Sequence, residues 1–379
     1  MIQLVSLLLH AYVAVRLLPA LPASPWLAIV VLLALSISLW LMPMGIGFGT
    51  RFWTGRRGAA HPLIFLGWLG MGLFSSLLVL NLLRDLALLS AWILRGVIAI
   101  NIDMLALQRD SALLVVVLAA LVSVVGLIGA RRTAAVVKVD VPITGLPAAL
   151  DGFTIAQLSD IHVGPTIRAD YLRRIVAATN ACKPDMVAIT GDLVDGSVAE
   201  LSAEVAPLVD LQSRHGTFFV TGNHEYYSGA AAWVAELTRL GLTVLANRHV
   251  VLAHGGAHLV IAGVNDFGAG HFDPAQRSDP KQAMANSPAD VGINILLAHQ
   301  PRSAPAAAAA GFDLQLSGHT HGGQFLPWNF FVRLQQPFVA GLDRLQSMWV
   351  YTSRGTGYWG PPKRFGAPSE ITLLRLTVG

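Results

Sequence analysis

The sequence predicts an α/β protein in two parts: N-terminal transmembrane helices followed by a layered α/β domain with mixed sheets. Only 13% of the 379 residues are charged, against about 25% in an ordinary soluble domain. Residues 1–132 contain nine Arg and three Asp but no Lys or Glu. After residue 132, short apolar runs alternate with helical patterns, which is typical of an α/β fold. The two parts are therefore adapted to different solvents.

Residues 1–132 are predicted to form a transmembrane anchor of about four helices. A membrane-spanning helix needs about 20 mainly apolar residues, and the segments 27–48 and 111–130 are long enough and uncharged. The segment 86–102 carries Arg95 near its centre, which favours an interfacial helix or an extension of the third span. A fifth span is the alternative. The four predicted spans are 2–22, 27–48, 61–83 and 111–130.

The basic residues of the short loops predict the orientation of these spans. Lys and Arg are enriched on the cytoplasmic side of a membrane. Six basic residues lie on the side of the large domain, against three or four on the other side. We therefore expect the large domain to be cytoplasmic, and a fifth span would reverse this orientation. The six residues are Arg51, Arg56, Arg57, Arg131, Arg132 and Lys138.

The anchor is predicted to be structural, and its positive charge does not indicate a nucleic-acid partner. The arginines flank apolar runs, so the isoelectric point near 9.5 reflects membrane topology. A channel or transporter is the alternative interpretation of this region. It is disfavoured because the first 132 residues show no internal repeat and no cluster of acids within the apolar runs.

The rest of the chain is predicted to form one layered α/β domain. Residues 133–150 are expected to be a linker and a first strand, and residues 151–379 the domain itself. Apolar runs such as FTIAQLSD and PDMVAITGD end in polar residues, and helical patterns separate them. This alternation indicates βαβ units with antiparallel additions. The first predicted strands and helices are 153–160, 168–181, 184–192, 200–213, 216–225 and 230–240.

Histidines, acids and an asparagine follow five of the predicted strands. In α/β sheets, ligands bind at the carboxyl ends of the strands. The set offers carboxylate, amide and imidazole groups without a thiolate, which favours Zn, Mn or Fe. Seven candidate ligands are too many for one tetrahedral ion, so we expect two divalent ions that share a carboxylate. The candidates are Asp160, His162, Asp192, Asn223, His299, His319 and His321.

The motifs SDIH, GDLVD, GNHE, AHQP and GHTH resemble those of the calcineurin-like metallophosphoesterases. That family has D-x-H, G-D-x-x-D, G-N-H-[DE], a lone His and G-H-x-H, in this order. The resemblance covers about residues 136–376, and LDGFTIAQLSDIHVG and LQLSGHTHGGQ are similar to its membrane-associated bacterial branch. That branch includes UDP-2,3-diacylglucosamine hydrolases. The resemblance implies a multi-pass phosphoric ester hydrolase of the bacterial inner membrane.

The resemblance also implies a role for each candidate residue. Asp192 is expected to bridge two ions about 3.5–4 Å apart, and a hydroxide between them to attack phosphorus. His224 is expected to protonate or stabilise the leaving oxygen, and Asp195 to orient the His224 imidazole. The remaining ligands divide into two sets. The first set is Asp160, His162 and His321, and the second is Asn223, His299 and His319.

The predicted substrate is a lipid-linked phosphodiester or pyrophosphate at the membrane surface. The loop 324–332, QFLPWNFFV, directly follows the GHTHGG sequence, and six of its nine residues are large and apolar. It is either a buried core strand, although Pro327 fits a central strand poorly, or an exposed surface whose aromatic residues lie at the headgroup level. The candidate substrate contacts are Arg302, Phe325, Trp328 and Arg364.

Two other functions stay open at the level of sequence. The domain could be a binding or scaffold protein on a phosphoesterase fold, although all seven ligand positions are intact. It could also be a phosphodiesterase of soluble nucleotides that is merely tethered to the membrane. Measuring the metal content and the hydrolysis of an activated diester distinguishes a scaffold protein from an enzyme. Comparing lipid and nucleotide substrates distinguishes the tethered nucleotide phosphodiesterase from an enzyme that acts on lipid.

Overall fold

The computed structural model describes residues 2–21, 25–45, 60–98, 100–288 and 290–379. The chain divides into two compact units, one helical and one α/β. The helical unit consists of Met1–Arg131 and the short segment Gly360–Phe365. The α/β unit consists of Arg132–Trp359 and Gly366–Gly379.

Four helices in the described part of the helical unit are long and apolar enough to cross a membrane. Many of their leucine and valine side chains are exposed, as expected for helices that face hydrocarbon. The helices are α1 (Ile2–Leu17), α2 (Pro25–Gly45), α3 (Ala60–Val97) and α4 (Met104–Arg131). Three basic residues that enter the predicted orientation, Arg51, Arg56 and Arg57, lie outside the described residues.

Helix α3 is longer than the predicted third span because its polar residues find partners within the unit. Arg84 is buried, and its guanidinium donates to the carbonyl oxygens of Arg16 at 3.2 Å and Gln108 at 3.0 Å. Asp85 accepts from the guanidinium of Arg16 at 2.9 Å. Satisfied polar groups are tolerated at membrane depth. The segment after residue 83 therefore extends the third helix, one of the two predicted alternatives.

The segment Gly360–Phe365 belongs to the helical unit although it lies near the end of the chain. The ammonium of Lys363 donates to the carbonyl oxygen of Gly72 at 2.8 Å. Arg364 is buried, and its backbone N–H donates to the carbonyl oxygen of Gly126 at 2.8 Å. This places Arg364 among helices, and its predicted contact with substrate stays a prediction.

The first sheet of the α/β unit has six strands in the order β1-β12-β2-β3-β4-β5. Strand β12 runs antiparallel to β2, and the other neighbouring pairs are parallel. The carboxyl ends of β2, β3 and β4 therefore meet at one edge. The strands are β1 (Ala135–Ile143), β2 (Thr154–Leu158), β3 (Met186–Ile189), β4 (Thr217–Phe219), β5 (Thr243–Val244) and β12 (Glu370–Val378).

The second sheet also has six strands, in the order β10-β11-β9-β8-β7-β6. Its central strands β11, β9, β8 and β7 are parallel, and β10 and β6 are antiparallel edge strands. The strands are β6 (Arg248–His254), β7 (Ala257–Gly263), β8 (Asn294–Leu297), β9 (Leu314–Ser317), β10 (Gly341–Leu345) and β11 (Met348–Thr352).

The main core lies between the two sheets. Ile155 and Met186 of the first sheet share one buried apolar cluster with Ile295 and Leu316 of the second. Burial of such side chains contributes about 1.5–3 kcal/mol each. A second cluster joins the other face of the second sheet, including Leu296, to helices. The predicted layered α/β fold with mixed sheets is confirmed.

Two of the three helices predicted in the α/β unit are present with nearly the predicted bounds, at Ala169–Ala181 and Ala230–Arg239. A short helix, Asn223–Ser228, begins inside the segment 216–225, which the sequence predicts as a strand. The helix expected over 200–213 begins at Val198 and ends at Val205, and a 3₁₀ segment continues to Asp210. Pro207 lacks the N–H that a continued α-helix requires. The helices are α5 (Ala169–Ala181), α6 (Val198–Val205), α7 (Asn223–Ser228), α8 (Ala230–Arg239), α9 (Pro280–Ala283), α10 (Ala304–Ala309) and α11 (Asn329–Val332).

Candidate metal centre

All seven predicted metal ligands lie in loops or helix starts that directly follow strands. Asp160 and His162 follow β2, and Asp192 follows β3. Asn223 and His224 open helix α7 after β4. The remaining ligands, His299, His319 and His321, follow β8 and β9. Because β2, β3 and β4 are parallel, as are β8 and β9, their carboxyl ends deliver these residues to common edges.

The structure brings the acidic and histidine residues of this set together in groups that could each hold an ion. In each group the ligand atoms lie within 4.8 Å of one another. One group holds Asp160, His162 and His321, and another holds Asp192, His299 and His319. A third group, His162, Asp192 and His224, connects the first two.

Asp192 lies at the centre of the arrangement. Its Oδ2 atom is 3.1 Å from Nε2 of His299 and 3.9 Å from Nε2 of His162. The same oxygen is 4.0 Å from Nε2 of His224. The other oxygen, Oδ1, accepts a hydrogen bond from the backbone N–H of His224 at 2.8 Å. The carboxylate of Asp192 therefore belongs to the second group and also lies beside His162, a member of the first.

The hydrogen bonds of the imidazoles leave lone pairs that converge. Nδ1 of His299 lies 2.8 Å from the carbonyl oxygen of Thr190 and is therefore a donor. Its Nε2 faces Asp192 and lies 3.2 Å from Nδ1 of His319. A hydrogen bond of this kind, made by the ring nitrogen that faces away from the metal, fixes the tautomer of a metal-binding histidine. Converging imidazole and carboxylate acceptors fit a divalent cation such as Zn²⁺ or Mn²⁺.

Asn223 supplies a further observation in favour of a cation. Its Oδ1 atom is buried and has no hydrogen-bond partner among the described residues. A buried amide oxygen without a partner costs about 1–3 kcal/mol. Coordination to an ion offsets that cost, so the side chain fits the predicted role of a ligand.

The backbone of the centre is strained in a way that is common at functional sites. Five of its non-glycine residues have positive φ, a conformation that L-residues rarely adopt. Two glycines permit the close approach of the loops. A Cβ at Gly318 would lie 2.2 Å from Oδ2 of Asp160, and one at Gly222 would lie 2.2 Å from Oδ1 of Asp192. The five strained residues are Asp160 (φ 53°), His162 (φ 56°), Asp192 (φ 50°), His319 (φ 69°) and His321 (φ 51°).

The pKa values of the centre follow from its buried charge. Burial alone would raise the pKa of Asp192, but the imidazoles of His299 and His224 hold it well below its ordinary value. Burial and the adjacent His299 lower the pKa of His319 to about 3. Asp192 is therefore an anion and His319 a neutral imidazole, the forms that bind metal ions.

His224 has a different electrostatic environment, which suits a proton donor. Burial alone would lower its pKa, but the carboxylates of Asp192 and Asp195 raise it to about 9. Nδ1 of His224 lies 2.6 Å from Oδ1 of Asp195. The imidazole is therefore protonated at neutral pH and held in one orientation.

Glu225 is a further residue of the centre that the sequence did not predict. Its fully buried carboxylate accepts hydrogen bonds from the backbone N–H groups of Asp192 at 3.0 Å, Leu193 at 2.8 Å and Gly222 at 2.6 Å. It thereby joins the loop after β3 to the start of α7. The GNHE motif contains this residue, but no local pattern reveals that its side chain supports a loop 32 residues away.

The predicted substrate contacts have different surroundings. Phe325 is 8% exposed and forms an isolated β-bridge with Gly366, whereas Trp328 is 41% exposed. The side chain of Trp328 is therefore accessible to solvent, and that of Phe325 is buried; their predicted contacts with substrate stay predictions. Arg302 lies over the ring of Phe267, 5.3 Å from its centroid, and donates to the carbonyl oxygen of Gln335.

Comparison with known proteins establishes the family. A model of the calcineurin-like phosphoesterases matches residues 153–323. An uncharacterized metallophosphoesterase of Aquifex aeolicus is 33% identical over 224 residues, which cover 59% of this chain and 84% of the relative. One of Bacillus subtilis is 32% identical over 241 residues, covering 61% and 81%. The chain belongs to the calcineurin-like metallophosphoesterase family.

A bovine relative, named as a transmembrane protein with metallophosphoesterase domain, is 42% identical over 275 residues. The match covers 69% of this chain and 62% of the relative. The chain thus spans less than two thirds of the length of this protein. The comparisons confirm the predicted family, and they do not establish the narrower resemblance to UDP-2,3-diacylglucosamine hydrolases.

Proposed function

We propose that this protein is a membrane-anchored hydrolase that cleaves a phosphodiester or a pyrophosphate with two divalent metal ions. The observation that carries the proposal is the position of Asp192, whose carboxylate belongs to two ligand groups. A single shared anion between two sets of imidazoles suits two neighbouring cations. Family membership supports the reaction class, a phosphoric ester hydrolysis.

In this proposal the residues of the centre hold Mn, Zn or Fe ions. Asp192 contributes to both ions, and its burial strengthens the attraction between carboxylate and cation. When bound, two such ions clamp phosphate oxygens and activate a water molecule for attack on phosphorus. The first ion is assigned to Asp160, His162 and His321, and the second to Asn223, His299 and His319.

His224 and Asp195 are assigned to the departure of the leaving group. The hydrogen bond between Nδ1 of His224 and Asp195 directs the other ring nitrogen, Nε2, towards Asp192. A leaving oxygen at the centre is then within reach of an N–H donor. General acids of this kind typically contribute about 100- to 10,000-fold in rate.

The proposed substrate is lipid-linked. An exposed apolar surface supports this part of the proposal. We define the apolar surface as Trp328, Phe330, Phe331 and Leu334, which are 41–82% exposed. All four lie on or beside the short helix α11, a few residues after the metal-binding motif. Large exposed apolar patches mark contact sites for partners or membranes. The same chain carries four helices suited to a bilayer, so we assign this surface to lipid.

The proposed location is the bacterial inner membrane, with the catalytic domain in the cytoplasm. The four apolar helices support a membrane protein, as does the name of the bovine relative. Orientation rests on the excess of Lys and Arg on the side of the catalytic domain. Protease protection of a C-terminal tag in inverted and right-side-out vesicles measures the sidedness directly.

Hydrolysis by the full-length chain in amphipol tests the proposal. The protein is stripped of metal and reloaded with Mn²⁺, Zn²⁺ or Fe²⁺, then given bis(4-nitrophenyl) phosphate, a soluble cyclic nucleotide, and phospholipid vesicles. We expect metal-dependent hydrolysis of the nitrophenyl diester and of a lipid. Activity with the nucleotide but no lipid would favour the tethered nucleotide enzyme. Two bound ions without hydrolysis of any substrate would favour the scaffold protein.

A further inference from the structure

Two exposed aromatic rings flank the imidazole of His224. The Tyr227 ring centroid is 5.3 Å from that of His224, and the Trp359 ring centroid is 5.9 Å away. Both rings stand nearly perpendicular to the imidazole, at 74° and 73°. Tyr227 is 66% exposed and Trp359 is 46% exposed. Aromatic side chains with so much accessible area next to a reactive group are available to a ligand.

The positions of these rings are fixed by the fold. Tyr227 lies three residues after His224 on helix α7, so both side chains lie on one face. The backbone of Trp359 is held by the side chain of Gln324 through two hydrogen bonds. The Trp359 N–H donates to Oε1 at 2.9 Å, and Nε2 donates to the Trp359 carbonyl oxygen at 2.8 Å. Gln324 itself follows the metal-binding turn that carries His321.

A third ring, that of Phe272, lies next to Tyr227. We call Tyr227, Trp359 and Phe272 the apolar wall. Phe272 is 52% exposed, and its centroid lies 5.6 Å from that of Tyr227 and 5.4 Å from that of Tyr226. A phenylalanine offers only apolar surface to a ligand. The wall next to His224 therefore suits hydrocarbon better than a polar sugar or headgroup.

The location of the wall determines which part of a substrate it meets. A general acid must lie within about 2.6–3.2 Å of the oxygen that it protonates. The carbon attached to that leaving oxygen then lies beside the imidazole, whose centroid is 5.3 Å from that of Tyr227 and 5.9 Å from that of Trp359. We therefore expect the group that departs to contact these rings, and not the group that stays on phosphorus.

We propose that Tyr227, Phe272 and Trp359 form a subsite for an acyl-bearing leaving group. This inference rests on the proposed function. The water oxygen bonds to phosphorus and loses one proton to solvent, and the bond between phosphorus and the lipid-side oxygen breaks. That oxygen takes the bonding electron pair and receives the proton of His224, which solvent then replaces. The products are an acyl-bearing alcohol and the phosphate monoester of the headgroup.

Product analysis with a soluble short-chain lipid tests the direction of cleavage. The full-length chain in amphipol is given dihexanoylphosphatidylglycerol below its micelle concentration. We expect dihexanoylglycerol and glycerol phosphate, identified by mass spectrometry. Dihexanoylphosphatidic acid and free glycerol would overturn the inference, because the headgroup would then be the leaving group.

Variants test the subsite itself. In Tyr227→Ser and Trp359→Ser we expect KM for the dihexanoyl substrate to rise about tenfold, with a smaller change in kcat. The KM for a dibutyryl substrate should rise less, because shorter chains cover less of the wall. Tyr227→Phe and Trp359→Phe should restore the KM, since they keep a ring. Val209→Ser, an exposed apolar residue beyond helix α6, is the control.

The outcomes separate this inference from the proposed function. If the wild-type protein failed to hydrolyse bis(4-nitrophenyl) phosphate with any of the three metals, both the proposed function and the proposed subsite would be contradicted. A wild-type protein that is active, but whose serine variants keep the wild-type dependence on chain length, would remove the subsite alone.

Discussion

The Oδ1 atom of Asp195 lies 2.6 Å from Nδ1 of His224 and 2.9 Å from Nδ1 of His162. One carboxylate thus orients both the proposed proton donor and a proposed metal ligand. Burial alone would raise the pKa of Asp195, but the imidazoles of His162 and His224 hold it well below its ordinary value. The residue is therefore an anion at neutral pH that contacts both the proposed proton donor and a proposed metal ligand.

The first prediction concerns Asp195→Asn. The amide removes the negative charge, and its single neutral oxygen accepts from both imidazoles more weakly than the carboxylate does, so both imidazoles are held less firmly. We expect kcat to fall about 100- to 10,000-fold and affinity for the more weakly held ion to fall about 10- to 100-fold. Turnover and metal titration on the same samples measure the two effects. Asp170→Asn, on the exposed face of α5, is the matched control. If Asp195→Asn lost turnover but kept its metal affinity, Asp195 would orient His224 alone and not the metal ligand His162.

The second prediction concerns His224→Ala. We expect the metal content to stay at the wild-type level, because His224 is not assigned as a ligand, and turnover to fall about 100- to 10,000-fold. The loss should shrink for a nitrophenyl ester, since nitrophenolate leaves without protonation. Rates with nitrophenyl and alkyl esters measure this difference. An equal loss on both esters would exclude the role of proton donor.

The third prediction concerns Glu225→Gln. An amide cannot accept hydrogen bonds from three backbone N–H groups as a carboxylate does, so the loop of Asp192 loses support. Each unsatisfied buried group costs about 1–3 kcal/mol, and we expect a lower Tm together with weaker metal binding. Differential scanning fluorimetry with and without Mn²⁺ measures both. Glu200→Gln is the control because glutamine preserves its capping box with Ser197; an identical Tm and metal affinity in both variants would contradict the supporting role.

The fourth prediction concerns the apolar surface around helix α11. Replacing Trp328, Phe330 and Phe331 by Ser should reduce hydrolysis of a lipid in vesicles by about tenfold or more, because the rings no longer enter the interface. Hydrolysis of bis(4-nitrophenyl) phosphate measures the centre alone and should change little. Phe325 is omitted because it is buried. Equal damage to the two activities would show that the surface supports the fold and not the membrane contact.

The fold class and the residues that form the candidate metal centre could be predicted from the sequence because both depend on local patterns. Apolar runs ending in Asp, Asn or His identify strands and their carboxyl ends, and the parallel order of β2, β3 and β4 then brings Asp160, Asp192 and Asn223 to one edge. Long uncharged runs identify helices that suit a bilayer. These features need no knowledge of contacts between distant residues.

The parts that the sequence could not predict depend on such contacts. The charge of Arg84 led to a predicted span that ends at residue 83. In the structure, its guanidinium donates hydrogen bonds to the carbonyl oxygens of Arg16 and Gln108 on other helices, so the helix continues. The bond between Gln324 and Trp359 joins residues 35 positions apart. From sequence, the loop 324–332 could be a core strand or an exposed surface. The accessibility of Trp328, Phe330 and Phe331 in the structure decides for the exposed surface.

The number of metal ions bound by Asp192→Ala tests the central claim most directly. The full-length chain and the variant are purified side by side, reloaded with Mn²⁺ or Zn²⁺, and measured by inductively coupled plasma mass spectrometry. We expect two ions per wild-type chain and fewer than one in the variant, because both ions lose a ligand and the remaining cations repel each other. Turnover should be lost with the metal. An Asp192→Ala protein that kept two ions and near-normal turnover would contradict the claim that this carboxylate bridges a dinuclear centre.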